Sequence, residues 1–588
     1  MTVASGAWTL RCADPATAHA LRNHGYPTLL AELLAQRGID SPAEAGRFLS
    51  PTLRDLPDPW LLKGCRRAAE VIAESLAKRE SIWIYGDYDV DGISAAALMH
   101  CVLQALGGGE RVQVFLPDRI TDGYGLNGHC LQRLVDGGAQ LVVSVDCGAT
   151  AWQEVAAVRQ RGVRFVVIDH HMLGETPVDA DAFVNPKQPG CTYPDNNLCA
   201  VGLAFVVAQG LRRVMAERGL ATAAQLDLKT VLEFAALGTV ADVVELKDVN
   251  RTLAWHGLRR LGSTTRPGIR ALARHLPLDG VQADRIGFQL APKINAAGRI
   301  ADPRTAFELL VTGDPQRGEQ LALELDVANN TRKDMSQQVT REALALAQQL
   351  PCRDHAVVVA GRDWHQGVVG IVAARLAEQL GVPAIVLAVD AQGEARGSAR
   401  SAQGYDLVQG LRRVCDGVLT RFGGHAYAAG MTLPADRVAE LYDRLRRDAA
   451  ERLPPLPRTA PLLVDAELAL EAVDLELVAL IEQLEPFGKG NPKPRFWLRD
   501  LEVAKLECVG KDRLWMRGVL AVPGSQPLYA RARVDCFGPI HAFAGITHGQ
   551  RIDVATTVDR NVWNGKHSVQ LRIEAAQAAT GSEAQESS

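Results

Sequence analysis

The sequence is poor in cysteine and aromatic residues, has no long apolar run, and lacks any excess of positive charge. Its 11 cysteines are odd in number, scattered, and never spaced as CxxC. That excludes a disulfide framework or a zinc ribbon as the organising device and fits thiols of a reducing compartment. No stretch approaches the ~18 apolar residues of a membrane-spanning helix; runs such as Val382–Val389 are strand-sized. Met1–Arg11 has neither a basic n-region nor an apolar h-region, so a cytoplasmic protein without membrane attachment is expected. The 64 basic and 68 acidic residues leave a formal net charge of -4. A globally basic coat for nucleic acid is therefore absent, and any polyanion has to be held by a local groove or by metal ions.

What remains is ordinary globular composition, 47% hydrophobic and 22% charged, in a chain of 588 residues. At roughly 150 residues per domain this predicts three or four domains. The first 60 residues are helix-leaning and punctuated by proline, and read as a cap over 1–60. From there apolar β-branched runs (Ser81–Tyr85, Val112–Leu116, Leu141–Val145, Phe165–Ile168) alternate with helical stretches, which predicts an α/β domain with a parallel sheet over 61–260. A helical linker over 261–350 follows; it has no glycine or proline after Gly318, so one or more long helices are expected there. A second α/β domain over 351–455 ends in a glycine-rich turn at Gly423-Gly424-His425. A proline-rich linker at Leu453–Pro457 leads to short strands over 456–577, with an Asn564-Gly565 hairpin signal and the length of a five-strand all-β barrel. The tail, 578–588, is polar and expected to be disordered.

The most informative stretch is Asp87-Tyr88-Asp89-Val90-Asp91-Gly92. Three carboxylates this close, after an apolar strand and before a helix, repel one another unless a cation sits among them. The bland alternative, a solvated acidic turn, is disfavoured by the apolar flanks. A calcium EF-hand opens the same way, but it needs a glutamate where Leu98 stands and a helix where the strand stands. Asp146 ends the strand Leu141–Val145, and Asp169-His170-His171 ends Phe165–Ile168. In a parallel sheet the carboxyl ends of strands face one crevice, so these residues are expected together, with Asp242 after the next helix as a further ligand. Mixed Asp/His ligands without cysteine suit Mn²⁺ or Mg²⁺. Five or more such ligands point to two ions, the standard device for in-line attack on a phosphoryl group.

These motifs carry a resemblance. Asp87–Gly92, Val145-Asp146-Cys147-Gly148, Asp169-His170-His171 and Gly238-Thr239-Val240-Ala241-Asp242 are similar to the four motifs of the DHH phosphoesterase superfamily. Gly423-Gly424-His425-Ala426-Tyr427-Ala428-Ala429-Gly430 is similar to the signature of its DHHA1 companion domain. Pro117–Gly125 and Ala291–Arg299 extend the resemblance to the RecJ branch, across about residues 60–575. The resemblance implies a DHH domain, a DHHA1 domain and an OB-type barrel, and a 5′→3′ exonuclease specific for single-stranded DNA. It also implies a role in recombination and mismatch repair, beside a single-strand-binding protein and a RecQ-type helicase, as a monomer. Asp89, Asp91, Asp146, His170 and Asp242 match its dinuclear metal ligands, with Asp146 and Asp242 bridging; Asp87 is a ligand or orients one. His171 then contacts the scissile phosphate, with Asp146 and Asp242 beside it as catalytic residues, and Asp169 orients a histidine.

Phosphate contacts are expected from Arg119, from Asn295 and Arg299 in a loop, and from His365 and Gln366 before a helix start. Ser398 and Arg400 are further candidates, with Gly423, Gly424 and His425, whose turn offers backbone N–H groups. For any single arginine a solvated side chain is the plain alternative. Between Phe487 and Gln577 there are 14 Lys/Arg against 8 Asp/Glu, interleaved with aromatics. Trp497, Trp515 and Trp563 are base-stacking candidates of a basic barrel, with barrel core as the competing role. Two other functions compete: a phosphodiesterase for nanoRNA or cyclic dinucleotides, and a catalytically silent DNA-binding scaffold like the replication protein Cdc45. The C-terminal barrel speaks against the first, and the full set of ligands against the second.

Overall fold

Short valine- and isoleucine-rich runs form the strands that end in the acidic residues. β1 (Ile82–Gly86), β2 (Val112–Phe115), β3 (Leu141–Val145), β4 (Arg164–Ile168) and β5 (Ala182–Val184) make a sheet of order β2-β1-β3-β4-β5, every neighbouring pair parallel. All five residues of β3 are buried, because helices cover both faces. Tyr85, Val142, Phe165 and Val167 pack on Leu131, Leu134, Val155 and Val158 of helices Gly128–Asp136 and Trp152–Gln160. The opposite face meets helices Val90–Ala105 and Ala200–Glu217. Val90–Ala105 is apolar nearly all round and buried accordingly.

The computed structural model describes residues 8–276, 282–453, 461–510, 513–524 and 533–579. They fall into two units, one drawn from Leu56–Val244 and Leu253–Leu456, the other from Met1–Asp55, Glu245–Thr252 and Pro457–Ser588. The expected tail from 580 on, and the proline-rich linker beyond Leu453, lie outside the described residues. Among the described residues no helix is long and apolar enough to cross a membrane.

In the first unit, helix Pro315–Gln349 runs for 35 residues, about 52 Å at ~1.5 Å per residue. Asp314 caps it, accepting the Gln316 N–H at 2.9 Å, and Pro315 occupies its first position. A second sheet follows: β6 (Val357–Arg362), β7 (Ala384–Val389), β8 (Glu394–Arg400), β9 (Arg421–His425) and β10 (Ala428–Pro434), in the order β9-β10-β8-β7-β6. β6 and β7 are parallel, and the other neighbours antiparallel.

Two local expectations are corrected here. Gly423-Gly424-His425 is not a turn but most of edge strand β9, paired with β10. Glycine carries little strand propensity, so the pairing decides; a Cβ on Gly424 would stand 2.3 Å from the Ala428 carbonyl oxygen. Asn295 and Arg299 are not in a loop but in helix Ala291–Ile300. Pro292 and Gly298 look like breakers, yet proline is tolerated in a first turn, and Gly298 is required because a Cβ would lie 2.3 Å from the Tyr88 oxygen.

The other unit holds a closed barrel. β11 (Phe496–Val509), β12 (Trp515–Ala521), β13 (Arg533–Pro539), β14 (Arg551–Trp563) and β15 (Lys566–Ala578) pair as β11-β12-β13-β15-β14, and β14 returns to β11. β11 serves both neighbours because its register slips between Leu498 and Leu501 and again between Val503 and Lys505, which bends the strand. The hairpin turn is the expected one, with Asn564 at φ +49° and Gly565 at φ +75°. The N-terminal helices Pro15–Asn23, Thr28–Ala35 and Pro42–Leu49 pack Leu21, Leu30, Leu33 and Leu34 against Leu484 in this same unit. Strand Trp8–Leu10 runs parallel to Leu462–Val464.

Candidate metal centre

The strand order reverses between β1 and β3, the position where an open α/β sheet leaves a crevice at its carboxyl edge. Asp87 follows β1, Asp146 follows β3 and Asp169 follows β4. Asp146 sits at φ +64°, a left-handed conformation that aspartate tolerates better than most residues, while its N–H donates to the Ile168 carbonyl at 3.0 Å. Asp89 caps helix Val90–Ala105, its Oδ1 accepting from the N–H of Asp91 at 2.9 Å and of Gly92 at 3.1 Å. Asp91 is held at the start of helix Ala200–Glu217, its carboxylate accepting from Ala200 N–H at 2.6 Å and Val201 N–H at 2.9 Å. Two motif glycines are explained by space. A Cβ on Gly92 would lie 2.7 Å from Asp87 backbone atoms, and one on Gly238 would lie 2.6 Å from Asp91 Oδ1.

The side chains converge into three overlapping groups whose ligand atoms lie within 4.8 Å of one another: Asp87–Asp89–Asp146, Asp91–His170–Asp242 and Asp146–His170–His171. His170 Nε2 stands 3.2 Å from Asp146 Oδ1, 3.8 Å from Asp242 Oδ2 and 4.0 Å from Asp91 Oδ2. Asp146 and His170 each belong to two groups, and Asp242 to one. Asp87 Oδ1 and Asp146 Oδ1 are buried and receive no hydrogen bond among the described residues. Buried carboxylate oxygens are normally satisfied, so orphaned acceptors here fit divalent cations as the missing partners.

The electrostatics agree. Burial, then the neighbouring charge of Asp89, pushes the Asp87 and Asp146 carboxyls well above the usual range; Asp91 is pushed up to about 7 for the same reasons. Burial and the adjacent His171 push His170 down to about 3, leaving a neutral imidazole, the form that ligates metal. His171 goes the other way. Burial opposes its charge, but the hydrogen bond and charge of Asp169 outweigh it and raise its pKa.

Asp169 is fully employed: it accepts from the N–H groups of Ala149, His170 and His171 and pairs with His171 Nδ1 at 2.8 Å. Its part is to orient His171. On the ring's other side Tyr124 OH lies 3.0 Å from His171 Nε2. Sequence reasoning missed Tyr124, although its flanking glycines, Gly123 at φ +83° and Gly125 at φ +80°, mark a specially shaped loop. The His425 ring lies parallel to that of His171, centroids 6.2 Å apart.

His425 belongs to a face of the second sheet that cross-strand register assembles. Arg400 pairs with Ala428 and Ala428 with His425; Ser398 pairs with Gly430 and Gly430 with Gly423. These two rows share one face, since their members are two residues apart along each strand. The middle strand contributes only Ala428 and Gly430, a low floor between polar side chains. Arg400 Nη1 donates to Ser398 Oγ at 2.9 Å. Arg119 lies over the Tyr88 ring, 5.0 Å from its centroid. Arg299 donates to the Gly367 carbonyl at 3.3 Å; burial and then the guanidiniums of Arg119, Arg332 and Arg400 lower its pKa to about 10. A cationic cluster of this kind suits an anion. Asn295 Oδ1 accepts the Val90 N–H at 3.1 Å, and His365 Nδ1 accepts the Gly367 N–H at 3.1 Å as a helix cap, with Gln366 next in that helix.

In the barrel unit, Trp563 is 74% exposed at the hairpin end, and exposed Trp515 stacks on Phe537 with centroids 4.9 Å apart. Trp497 packs among Trp8, Val464 and Ala555.

Comparison with known proteins joins these parts. The DHH family, N-terminal domain, matches residues 81–239, the DHHA1 domain residues 354–451 and the RecJ OB domain residues 464–575. The chain is 37% identical to the single-stranded-DNA-specific exonuclease RecJ of Dickeya dadantii, over 93% of this chain and 96% of that one. It is 36% identical to the RecJ of Bacillus subtilis, over 97% of this chain and 70% of that one. A crystal structure of RecJ from Thermus thermophilus in complex with Mn²⁺ matches with a TM-score of 0.80 at 27% identity, covering 97% of this chain and 79% of that one. The Mg²⁺ complex matches at 0.75 and 26%, covering 97% and 78%.

Proposed function

Because the chain belongs to the RecJ family of single-stranded-DNA-specific exonucleases, we propose that it removes nucleotides from the 5′ end of single-stranded DNA by hydrolysis assisted by two divalent ions, Mn²⁺ or Mg²⁺. The observation that carries this is the pair of orphaned buried oxygens on Asp87 and Asp146, inside overlapping groups of ligands. Asp87, Asp89 and Asp146 would hold one ion, and Asp91, His170 and Asp242 the other. Bound there, such ions supply an activated water and neutralise charge on the phosphate oxygens. His171, fixed by Asp169 and facing Tyr124, is placed to donate a hydrogen bond to the scissile phosphate. Arg119, Arg299, Ser398 and Arg400 receive the terminal phosphate, which sets the polarity. The barrel, with Trp515 and Trp563 outward, holds the strand further along.

In the cell this activity serves recombination and repair in the cytoplasm, with a monomeric enzyme fed by a RecQ-type helicase and a single-strand-binding protein. A phosphodiesterase for dinucleotides has no use for the barrel, and a silent scaffold has none for the retained ligands. One assay separates the three: Mn²⁺ with a long 5′-labelled single strand, a blunt duplex and a dinucleotide. Release of 5′ mononucleotides from the single strand alone is expected. Preference for the dinucleotide, or no hydrolysis with strand binding intact, overturns the proposal.

A further inference from the structure

The helical run that borders the acidic cluster breaks its regularity at one point. From Ile286 to Leu290 it is π-helical, and the Ala291 N–H reaches back five residues to the Ile286 carbonyl. Pro292, in the first turn of helix Ala291–Ile300, has no N–H to offer the Phe288 carbonyl, and the widened turn before it accommodates its ring where a regular helical continuation would not. The widened turn leaves Phe288 83% exposed, more than any other large apolar side chain among the described residues. An aromatic ring so exposed carries a hydrophobic cost.

Its position is informative. The turn lies against helix Leu232–Ala241, where a Cβ on Gly287 would stand 3.9 Å from Val240 Cγ1. Asp242 follows that helix, and next comes Val243, 60% exposed at φ +56°, a conformation β-branched residues rarely adopt. At the far end of the same run, Gly298 meets Tyr88 and Asn295 accepts the Val90 N–H at 3.1 Å. The run therefore passes the cluster from Tyr88 to Asp242, with Arg299 near one end and Phe288 near the other, about 16 Å apart at ~1.5 Å per residue. The π-turn packs on the helix after which the metal ligand Asp242 and the strained Val243 come, and both irregularities are unfavourable in themselves. Such irregularities concentrate where a ligand is handled.

We propose that Phe288 stacks on a nucleobase of the substrate strand, on the side of the scissile phosphate away from Arg299. This rests on the single-strand exonuclease reading and adds to it a specificity-determining residue. The occupant is a base because the π-turn that carries Phe288 packs on the helix that Asp242, a ligand of the cluster, follows, and an aromatic face accepts any base. In a duplex the bases are already stacked on their neighbours, so the contact is offered only to an unpaired strand.

The test uses the full chain with Mn²⁺ and a 5′-labelled single strand, either intact or carrying one abasic position moved along it. Phe288→Ala should raise KM for the intact strand about tenfold with kcat little changed. The wild-type enzyme should pause when the abasic position reaches Phe288; Phe288→Ala should lose that pause, and Phe288→Trp should restore both behaviours. Unchanged KM and pausing in Phe288→Ala, or a fall in kcat alone that tryptophan does not rescue, overturns the proposal. A wild-type enzyme inactive on every single strand would instead remove the exonuclease reading beneath it.

Discussion

In the first sheet every strand runs the same way, so three carboxyl ends lie side by side and Asp87, Asp146 and Asp169 reach one crevice. In the second sheet the strands reverse direction beyond β7, and the polar residues come instead from cross-strand rows, Arg400–Ala428–His425 and Ser398–Gly430–Gly423. The first arrangement gathers short acidic side chains at a point, which suits small, highly charged cations. The second spreads longer cationic and imidazole groups over a low glycine and alanine floor, which suits a larger anion. The facing His171 and His425 rings bring the two together. Clustered carboxylates and a spread cationic face are thus built by two different sheet topologies within one unit.

The sharpest way to break this division is at the point-like end. Asp146→Ala removes the carboxylate common to two ligand groups. The rate on a 5′-labelled single strand should fall by more than about a hundredfold, since changes behind a metal ligand alone cost 10–100-fold. Strand binding measured by fluorescence anisotropy should persist. Near-normal turnover would take Asp146 out of the site. The paired histidines sharpen the same end. His170→Ala should weaken metal binding by calorimetry some tenfold or more, whereas His171→Ala should lower turnover with two ions still bound. Exchange of the two phenotypes would reverse the roles given to the pair.

At the spread-out end the expected effect is smaller. Arg400→Glu places a carboxylate on the face shared with Ser398 and His425. A hydrogen bond to a charged group contributes ~1.5–3 kcal/mol, so a loss of tenfold or more is expected on 5′-phosphorylated strands. Strands ending in a 5′-hydroxyl should suffer less. Equal losses on both would make Arg400 a general backbone contact and dissolve its link to polarity.

The contrast also accounts for what was legible in the sequence. Parallel strands align their ends by construction, so once alternation identified the sheet, the positions of Asp87, Asp146 and Asp169 followed. The glycine-rich segment reads as a turn in sequence because its strand character comes from pairing with β10, which no local propensity reports. Pro292 and Gly298 look like breakers and suggest a loop around Asn295 and Arg299, whereas the first-turn position of one and the close approach of Tyr88 to the other explain both within a helix. Tyr124 was overlooked because an exposed tyrosine in a glycine-rich loop has no chemical signature until His171 is seen 3.0 Å away. The union of the N-terminal helices with the barrel rests on contacts such as those of Leu21 and Leu30 with Leu484, hundreds of residues apart.

That union bears on how the barrel is tested. Deleting the chain beyond residue 460 would strip Leu484 from the core of the N-terminal helices, so loss of function after such a deletion would not speak for DNA contact. Substituting the outward tryptophans does. Trp563 is exposed at the hairpin end and exposed Trp515 stacks on Phe537, and among the described residues neither belongs to the barrel core, so alanine at either leaves that core intact. Base stacking contributes ~1–3 kcal/mol per base, so each change should weaken binding of a long single strand at least about fivefold. Turnover of a short oligonucleotide should stay close to normal, because none of the metal-site residues is touched. The salt dependence of binding should also be unchanged, since each phosphate contact contributes about −0.7 to the log–log slope for single strands and neither tryptophan carries charge. A shallower slope would mean that alanine had displaced neighbouring lysines or arginines. Unaltered long-strand affinity in both variants would make the aromatic face a protein-docking surface and confine strand recognition to the larger unit.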